Sequence, residues 1–592
     1  MVTFNFIYLS IILLFGSICL NADEHDHKYE VGEDVDVWAT GIGPLANNQE
    51  IYKYSILPYC LSTKKPDHEH DTLGENLLGK NMELTNMKIK FLDNVKSKTI
   101  CRNEQKVLLQ DDVEKLAKLV EHKYQIYYEI DDLELTSPLG KYEEDSEIEE
   151  QKYTIYTHYD FEFHYNEDQI ISVDLEPSSP KNLVKELAGK KLELTFSTKW
   201  IESEIKFENR LDLYFKKFKS EHKFRWFTII NSFLLVIFLG GVVVIILMRT
   251  LHKDFARYDQ LDNMDAVERD FVDDYGWKQI HGDVFRPPRQ ALLLSSILGS
   301  GLQLLSMAFL VIVYVLATKV YLEEEKIISA AIFIYCLSAV AGGIYSGNAY
   351  TKLGGRNYLI SAVLTASLFP VPVGILTLTS SIIASITHSS RVLTFFNTFI
   401  IFITWLLMSV PLTYIGSLIG RNFAKYDEIP CRVHTIPRPI PPKPWYLENH
   451  FVILASGIVP FGSIFIELHT ILISFWGYKP YYLYGFLLLS FIILICVTGC
   501  ISIVGTYLMI NMEDYRWHWF SIGIGSSSVL YIYLYSIYYF YFKTKMYGVY
   551  QVTFYFFNTF LGGLALGLVL GMVGYYASYR FVRKIFGTVK ID

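Results

Sequence analysis

Nine long apolar runs, at about 227–248, 291–318, 327–350, 358–385, 393–420, 450–474, 482–510, 520–541 and 552–577, constrain this chain more than any other feature. A helix rises about 1.5 Å per residue, so each run can cross the roughly 30 Å hydrocarbon layer of a bilayer. Inside that layer every backbone N–H and C=O must be satisfied within the protein, which leaves helices as the form such runs can take. The expected fold is therefore a polytopic α-helical membrane protein with nine transmembrane helices. Composition agrees: 51% of the 592 residues are hydrophobic and 19% are charged, too little charge to coat a soluble protein of this length. The net charge of -8 comes with no extended basic field, so nucleic acid is not an expected partner.

The first 22 residues read as a secretory signal peptide, an apolar stretch that ends in small and polar residues before charge begins at Asp23. Residues 23–223 form an acidic segment with period-two runs such as YTIYTHYDFEFHYN at 153–166 and KLELTFSTKWI at 190–201. Alternation of this kind predicts half-buried strands, hence a β-rich lumenal domain. Within it, 108–132 reads as a helix followed by a strand, and the acidic run at 141–152 as a solvated loop. Four of the seven cysteines lie in or beside apolar runs and Cys19 falls in the signal peptide. Cys60 and Cys101 are thus the pair expected to form a disulfide in an oxidising compartment. No Asn-x-Ser/Thr acceptor occurs in the domain.

Basic residues cluster after the first run (Arg249, Lys253, Arg257), after the fifth (Arg421, Lys425, Arg432, Arg438, Lys443) and at the C-terminus, while the opposing loops are short or mixed. The positive-inside rule then puts the N-terminal domain in the lumen and a tail at 580–592 in the cytosol, with the membrane domain at 224–579.

Glu467 is the candidate intramembrane group, because a carboxylate in an apolar span is costly unless it is paired, protonated or faces a polar cavity. His469, two residues on, points to another side of the same helix. Pro287 and Pro288 predict that the second helix begins just beyond them. The proline-rich stretch at 430–447 reads as a stiff connector against the cytosolic helix ends, and EDYRWHW at 513–519 as an ion-paired loop. The small residues of 339–355 and 561–579 predict close helix packing in preference to a pore. No hydrolase, zinc, phosphate-loop or dinucleotide motif is present, so neither catalysis nor a cofactor or metal is expected.

The stretches VWATGIGPLANNQEIYKYSILPYC at 37–60, HKFRWFTIINSF at 222–233, GWKQIHGDVFRPP at 276–288, IPRPIPPKPWY at 436–446, VPFGSIFIE at 459–467 and EDYRWHW resemble the transmembrane 9 superfamily, the nonaspanins or endomembrane protein 70 family. His518 and the GGRN at 354–357 depart from its usual pattern. The resemblance implies residence in Golgi and endosomal membranes and a role in sorting other membrane proteins to the surface, with links to adhesion and phagocytosis. It implies as partners transmembrane proteins with glycine-rich or polar membrane helices. It also implies the COPI coat, through a terminal Lys-x-Asp signal that Lys590 and Asp592 fit. Membrane lipids complete the expected contacts. The competing expectation is a proton- or ion-coupled transporter built around Glu467, although nine helices offer no obvious pair of equal repeats. A lateral groove would favour cargo recognition, and a water-filled path at Glu467 would favour transport.

Overall fold

The computed structural model describes residues 27–45, 47, 49–59, 73–100, 108–143, 152–183, 189–210, 222–262, 280–318, 320, 324–424, 433, 436–477, 484–544, 546 and 548–587. Two compact units are present, one drawn from residues up to 45, 50–71 and 80–219, the other from 46–49, 72–79 and the chain from 220 onward.

The first unit carries eleven described strands: β1 (Asp34–Val35), β2 (Trp38–Pro44), β3 (Glu83–Leu84), β4 (Ile89–Lys90), β5 (Val95–Thr99), β6 (Tyr124–Ile130), β7 (Leu133–Pro138), β8 (Gly140–Tyr142), β9 (Tyr153–Asn166), β10 (Gln169–Asn182) and β11 (Thr195–Glu202). One sheet runs β10-β9-β11-β5 with β8 beside β9, a second runs β3-β2-β6-β7, and β1 pairs with β4. The expected β-rich domain is present. So is the helix-then-strand reading of 108–132, as a helix at Gln110–Glu121 followed by β6.

Alternation explains how β9 serves the core. Ile155, Thr157, Tyr159, Phe161 and Phe163 point inward, and the residues between them face outward. Phe163 stacks on Trp200 of β11 at 4.3 Å between ring centroids, and residues from both larger sheets and the helix share one apolar core. A buried ion pair, Asp131 to Arg210 at 3.0 Å, fixes the end of the described unit; neither side chain is more than 3% exposed.

The second unit holds, among the described residues, nine helices long and apolar enough to cross a membrane. The first is Ile229–Ile246, within a helix His222–Asp262; the next four are Ala291–Thr318, Glu324–Lys352, Tyr358–Ile386 and Phe395–Ala424. The last four are Asn449–Trp476, Tyr484–Asn511, Trp517–Lys543 and Val549–Phe586. The second span starts three residues beyond Pro288, as the prolines require. Two expected boundaries move. Helix resumes at Trp517 rather than 520, so the RWHW part of the expected loop is mostly first helical turn. The ninth helix runs to Phe586, so the residues from Arg580 to Phe586, expected in a tail, continue the helix.

Prolines shape the fourth and fifth spans. The fourth breaks between helices Tyr358–Ser367 and Pro370–Ile386. Pro370 has no N–H to give the carbonyl four residues earlier, Ala366, and the indole of Trp405 donates to that oxygen instead, at 3.0 Å. Trp405 itself opens a π-helical stretch, Trp405–Ser409, just before Pro411.

Small residues set the tightest crossing. Gly343 and Gly347 of the third span face Gly416 and Gly420 of the fifth, each pair separated by three residues. A Cβ on Gly343 would overlap the Thr413 carbonyl, and one on Gly347 the Ser417 carbonyl. On the facing helix, Gly416 and Gly420 meet the carbonyls of Val340 and Ile344 in the same way. Backbones approach this closely only where side chains are absent. In the ninth span Gly571 and Gly574 pack against the eighth. These glycines are consumed by the bundle's own packing, as the sequence leads one to expect.

Candidate functional site

Three polar assemblies stand out in the second unit, one within the spans and one at each end. The first surrounds Glu467. It lies nine residues before the end of the sixth span, about 14 Å along the helix axis, and is 9% exposed. Ile229 and Ser232 of the first span, Ser463 and Ile466 of the sixth, and Ser490 and Ile493 of the seventh share its small cavity of about 10 Å³. That space holds one water at most, so this is no water-filled path. Ser232 donates to the carbonyl of Ser463 at 3.1 Å, which ties the first span to the sixth beside the carboxylate. Elsewhere the first span packs chiefly on the seventh, through Ile229, Leu239, Ile493 and Val497. Its remaining face, with Ile230, Phe233, Ile237 and Phe238 all more than half exposed, is open among the described residues. Gly240 and Gly241 of the same helix have no neighbour in the space a side chain would fill.

His469 faces the eighth span, not Glu467, as the two-residue offset requires. The Tyr535 hydroxyl lies 2.8 Å from its Nδ1, and Phe465 packs edge-on against the same tyrosine at 4.8 Å. The tyrosines of the eighth span divide their duties. Tyr531 and Tyr533 donate to the carbonyls of Leu454 and Phe560 at 2.7 and 3.0 Å, while Tyr538, Tyr541 and Phe542 are exposed.

The second assembly joins the loops after the first, fifth and seventh spans. Asp514 has no solvent exposure; Lys443 of the proline-rich connector reaches it at 2.6 Å and Arg516 at 3.1 Å. Burial raises the carboxyl pKa of Asp514, but hydrogen bonds from Arg516 and Lys443 outweigh it and hold the group below its ordinary value. Asp283 is likewise buried, bound by Arg286 at 2.6 Å and by the backbone N–H of Arg438 at 3.1 Å. The indoles of Trp517 and Trp519 donate to the carbonyls of Val284 and Arg289. The connector thus lies against the helix ends, its Lys443 ammonium on Asp514 and its Arg438 backbone N–H on Asp283.

The third assembly, at the opposite ends of the spans, was not legible as a site. Arg391, in the loop between the fourth and fifth spans, donates through Nη2 to Gln49 Oε1 at 2.6 Å. The Gln49 amide in turn donates to the carbonyl of Phe475 at 3.0 Å, near the end of the sixth span. The guanidinium sits over the Phe554 ring at 5.1 Å. Its buried Nε has no acceptor, and no carboxylate lies within ion-pair distance among the described residues. Burial pulls its pKa down, opposed by Tyr550 and by Glu324 at longer range. Leaving a buried charged donor unsatisfied costs at least about 1–3 kcal/mol. The one available signal was a basic residue in THSSR, a loop on the side that the charge rule expects to be poor in cations.

In the first unit, His158 links Thr195 Oγ1 at 2.6 Å and Asp160 Oδ1 at 3.0 Å. Asp160 also accepts from Ser178 at 2.7 Å and from Ser197. The order hydroxyl, imidazole, carboxylate resembles a nucleophile relay. It lies on the outer face of β9 and β11, whose ladder pairs both flanks of β11, so backbone N–H groups there are committed to the sheet and do not form an oxyanion site. Among the described residues no group of three or more His, Cys, Asp or Glu side chains is placed to hold a metal ion. Cys60, Cys101, Lys590 and Asp592 lie outside the described residues.

Comparisons with known proteins agree along the chain. The sequence pattern of Endomembrane protein 70 matches residues 51–549. "Putative phagocytic receptor 1b" of Dictyostelium discoideum is 37% identical over 590 residues, covering 99% of both chains. Transmembrane 9 superfamily member 4 of Arabidopsis thaliana is 34% identical over 599 residues, 99% of this chain and 98% of the relative. Transmembrane 9 superfamily member 1 of Mus musculus is 35% identical over 585 residues, covering 95% and 94%. No solved structure matches.

Proposed function

Because this chain belongs to the endomembrane protein 70 family, the transmembrane 9 superfamily, we propose that it is a noncatalytic sorting factor that recognises other membrane proteins through their membrane helices. The observation that carries this reading is the polar seam of Ser232, Ser463, Glu467 and Ser490 beside a first span whose outer face is exposed among the described residues. Helices gain little from apolar contact in lipid, so selective association depends on close packing and on interhelical hydrogen bonds, averaging about 0.6 kcal/mol each. A client helix with small or polar residues packs on Gly240 and Gly241 and shares hydrogen bonds with the seam. An all-leucine helix gains neither.

The name of the Dictyostelium relative, a receptor for phagocytosis, suits a factor whose loss would alter what reaches the cell surface. Work of this kind belongs to Golgi and endosomal membranes, with the first unit lumenal and the C-terminus cytosolic. Lys590 and Asp592 would return the protein by engaging the COPI coat, and Lys590→Ala is expected to move its steady state away from the early Golgi. Transport through Glu467 is the weaker reading, since the space around it admits at most one water.

Photo-crosslinking tests the proposal. Probes at Ile230, Phe233 and Phe238 in native membranes should capture single-span proteins through their membrane helices, and Glu467→Leu should reduce the yield several-fold. Capture of lipid alone from all three positions would sink the reading.

A further inference from the structure

Beneath Arg391, between the fourth and ninth spans, lies a cavity of about 150 Å³. A single water needs about 10–15 Å³ on the same measure, so the space admits a polyatomic group. Its polar lining comes from Arg391, Thr377, Ser380, Ser381 and Asn558, and its apolar lining includes Leu376 and Phe557.

Around Arg391 that lining offers several hydrogen-bond donors beside the hydroxyl and amide oxygens of Thr377, Ser380 and Asn558. Arg391 spends one N–H on Gln49. Ser381 Oγ accepts from the Leu393 backbone at 3.0 Å, which leaves its O–H to donate. Asn558 spends one amide N–H on the Phe554 carbonyl at 2.8 Å and keeps the other. Remaining guanidinium N–H groups, a hydroxyl and an amide therefore converge on a space with no carboxylate in its lining. Such a set suits an anion, and a guanidinium is the group best matched to a phosphate or carboxylate. Gln49 acts as a positioning residue: tied to Phe475, it holds the guanidinium by a neutral oxygen and adds no charge of its own.

The shape of the cavity says what carries the anion. The apolar residues Leu376, Phe554, Phe557 and Leu561 form a wall that follows the ninth span for about 10 Å, from Phe554 to Leu561. A small soluble anion has no use for that wall, whereas an acyl chain does. We propose that this cavity is a structural binding site for an anionic phospholipid, with its phosphate at Arg391, Ser381 and Asn558 and the start of an acyl chain along Leu376 and Phe557.

The test uses the full-length protein purified in mild detergent. Native mass spectrometry after exposure to equal phosphatidylglycerol and phosphatidylcholine should show preferential retention of about one phosphatidylglycerol. Arg391→Gln should lower that retention about tenfold, and Arg391→Lys should keep part of it. Thermal unfolding of the delipidated wild type, which needs no variant to fold, should rise with phosphatidylglycerol and much less with phosphatidylcholine. If inorganic phosphate alone reproduces the rise and phosphatidylglycerol adds nothing, the anion site stands and its lipid source is overturned. Equal retention by wild type and Arg391→Gln, or no stabilisation by any of the three additions, would overturn the site itself.

Discussion

The two ends of the bundle handle buried charge in opposite ways. At one end Asp514 and Asp283 are enclosed, and each is met by cations and backbone N–H groups from separate loops. At the other, Arg391 is held by a neutral amide and an aromatic face. A buried carboxylate ringed by its partners has its electrostatics complete and holds loops in register. Arg391, with no carboxylate within ion-pair distance among the described residues, has them less complete, and further negative charge is most economically supplied from outside the chain.

Substitutions can break this contrast. Asp514→Ala strands Lys443, only 10% exposed, and should cost about 3–5 kcal/mol in detergent unfolding. Adding Lys443→Met should recover much of the loss. Arg391→Gln in delipidated protein should cost about 1 kcal/mol, since it removes one hydrogen bond and no ion pair. A loss equal to that of Asp514→Ala would erase the distinction.

Next in size is the glycine seam. Gly347→Leu drives a side chain into the Ser417 carbonyl and should cost about 1–3 kcal/mol or more, read by the same unfolding measurement. Gly240→Leu on the exposed face of the first span should leave stability unchanged, and a comparable loss there would mean that face is not free. A smaller effect belongs to Tyr535→Phe, which removes the hydrogen bond at His469 and should cost about 0.6 kcal/mol.

Asp160 of the first unit gives a surface counterpart to Asp514. Burial raises its pKa, but Ser197, Ser178 and His158 outweigh that and hold it below the ordinary 3.8. A depressed carboxyl contributes stability that is present above its unfolded pKa and lost as pH falls through the folded one. Stability owed to Asp160 should therefore persist through mildly acidic pH and fade only below about pH 4. Urea unfolding of Asp160→Asn should show a smaller acid-limb loss than wild type.

Period and length made much of the architecture readable. Nine apolar runs became nine spans, and the alternation of 153–166 became β9, because both signals are local. The glycines of 339–355 could be read as packing residues for the same reason, although their partners at 416 and 420 could not be named. Helix ends were less legible where polar residues continue a helix: Trp517 and Arg580 look like loop and tail by composition, yet both sit on helices. Glu467 was visible because a lone carboxylate in an apolar run is conspicuous. Arg391 was not, since its character depends on Gln49, more than three hundred positions away, and on which described carboxylates come within ion-pair distance, which only the fold reveals.

The indole of Trp405 has a consequence for inheritance. Its hydrogen bond compensates a carbonyl that exists as an orphan only because residue 370 is proline. The two positions are thus a single unit of change: a lineage that replaces Pro370 frees position 405 to drift, and one that loses Trp405 first carries an unsatisfied oxygen in lipid until position 370 follows. Among descendants of this chain the proline and the tryptophan should be kept or discarded together.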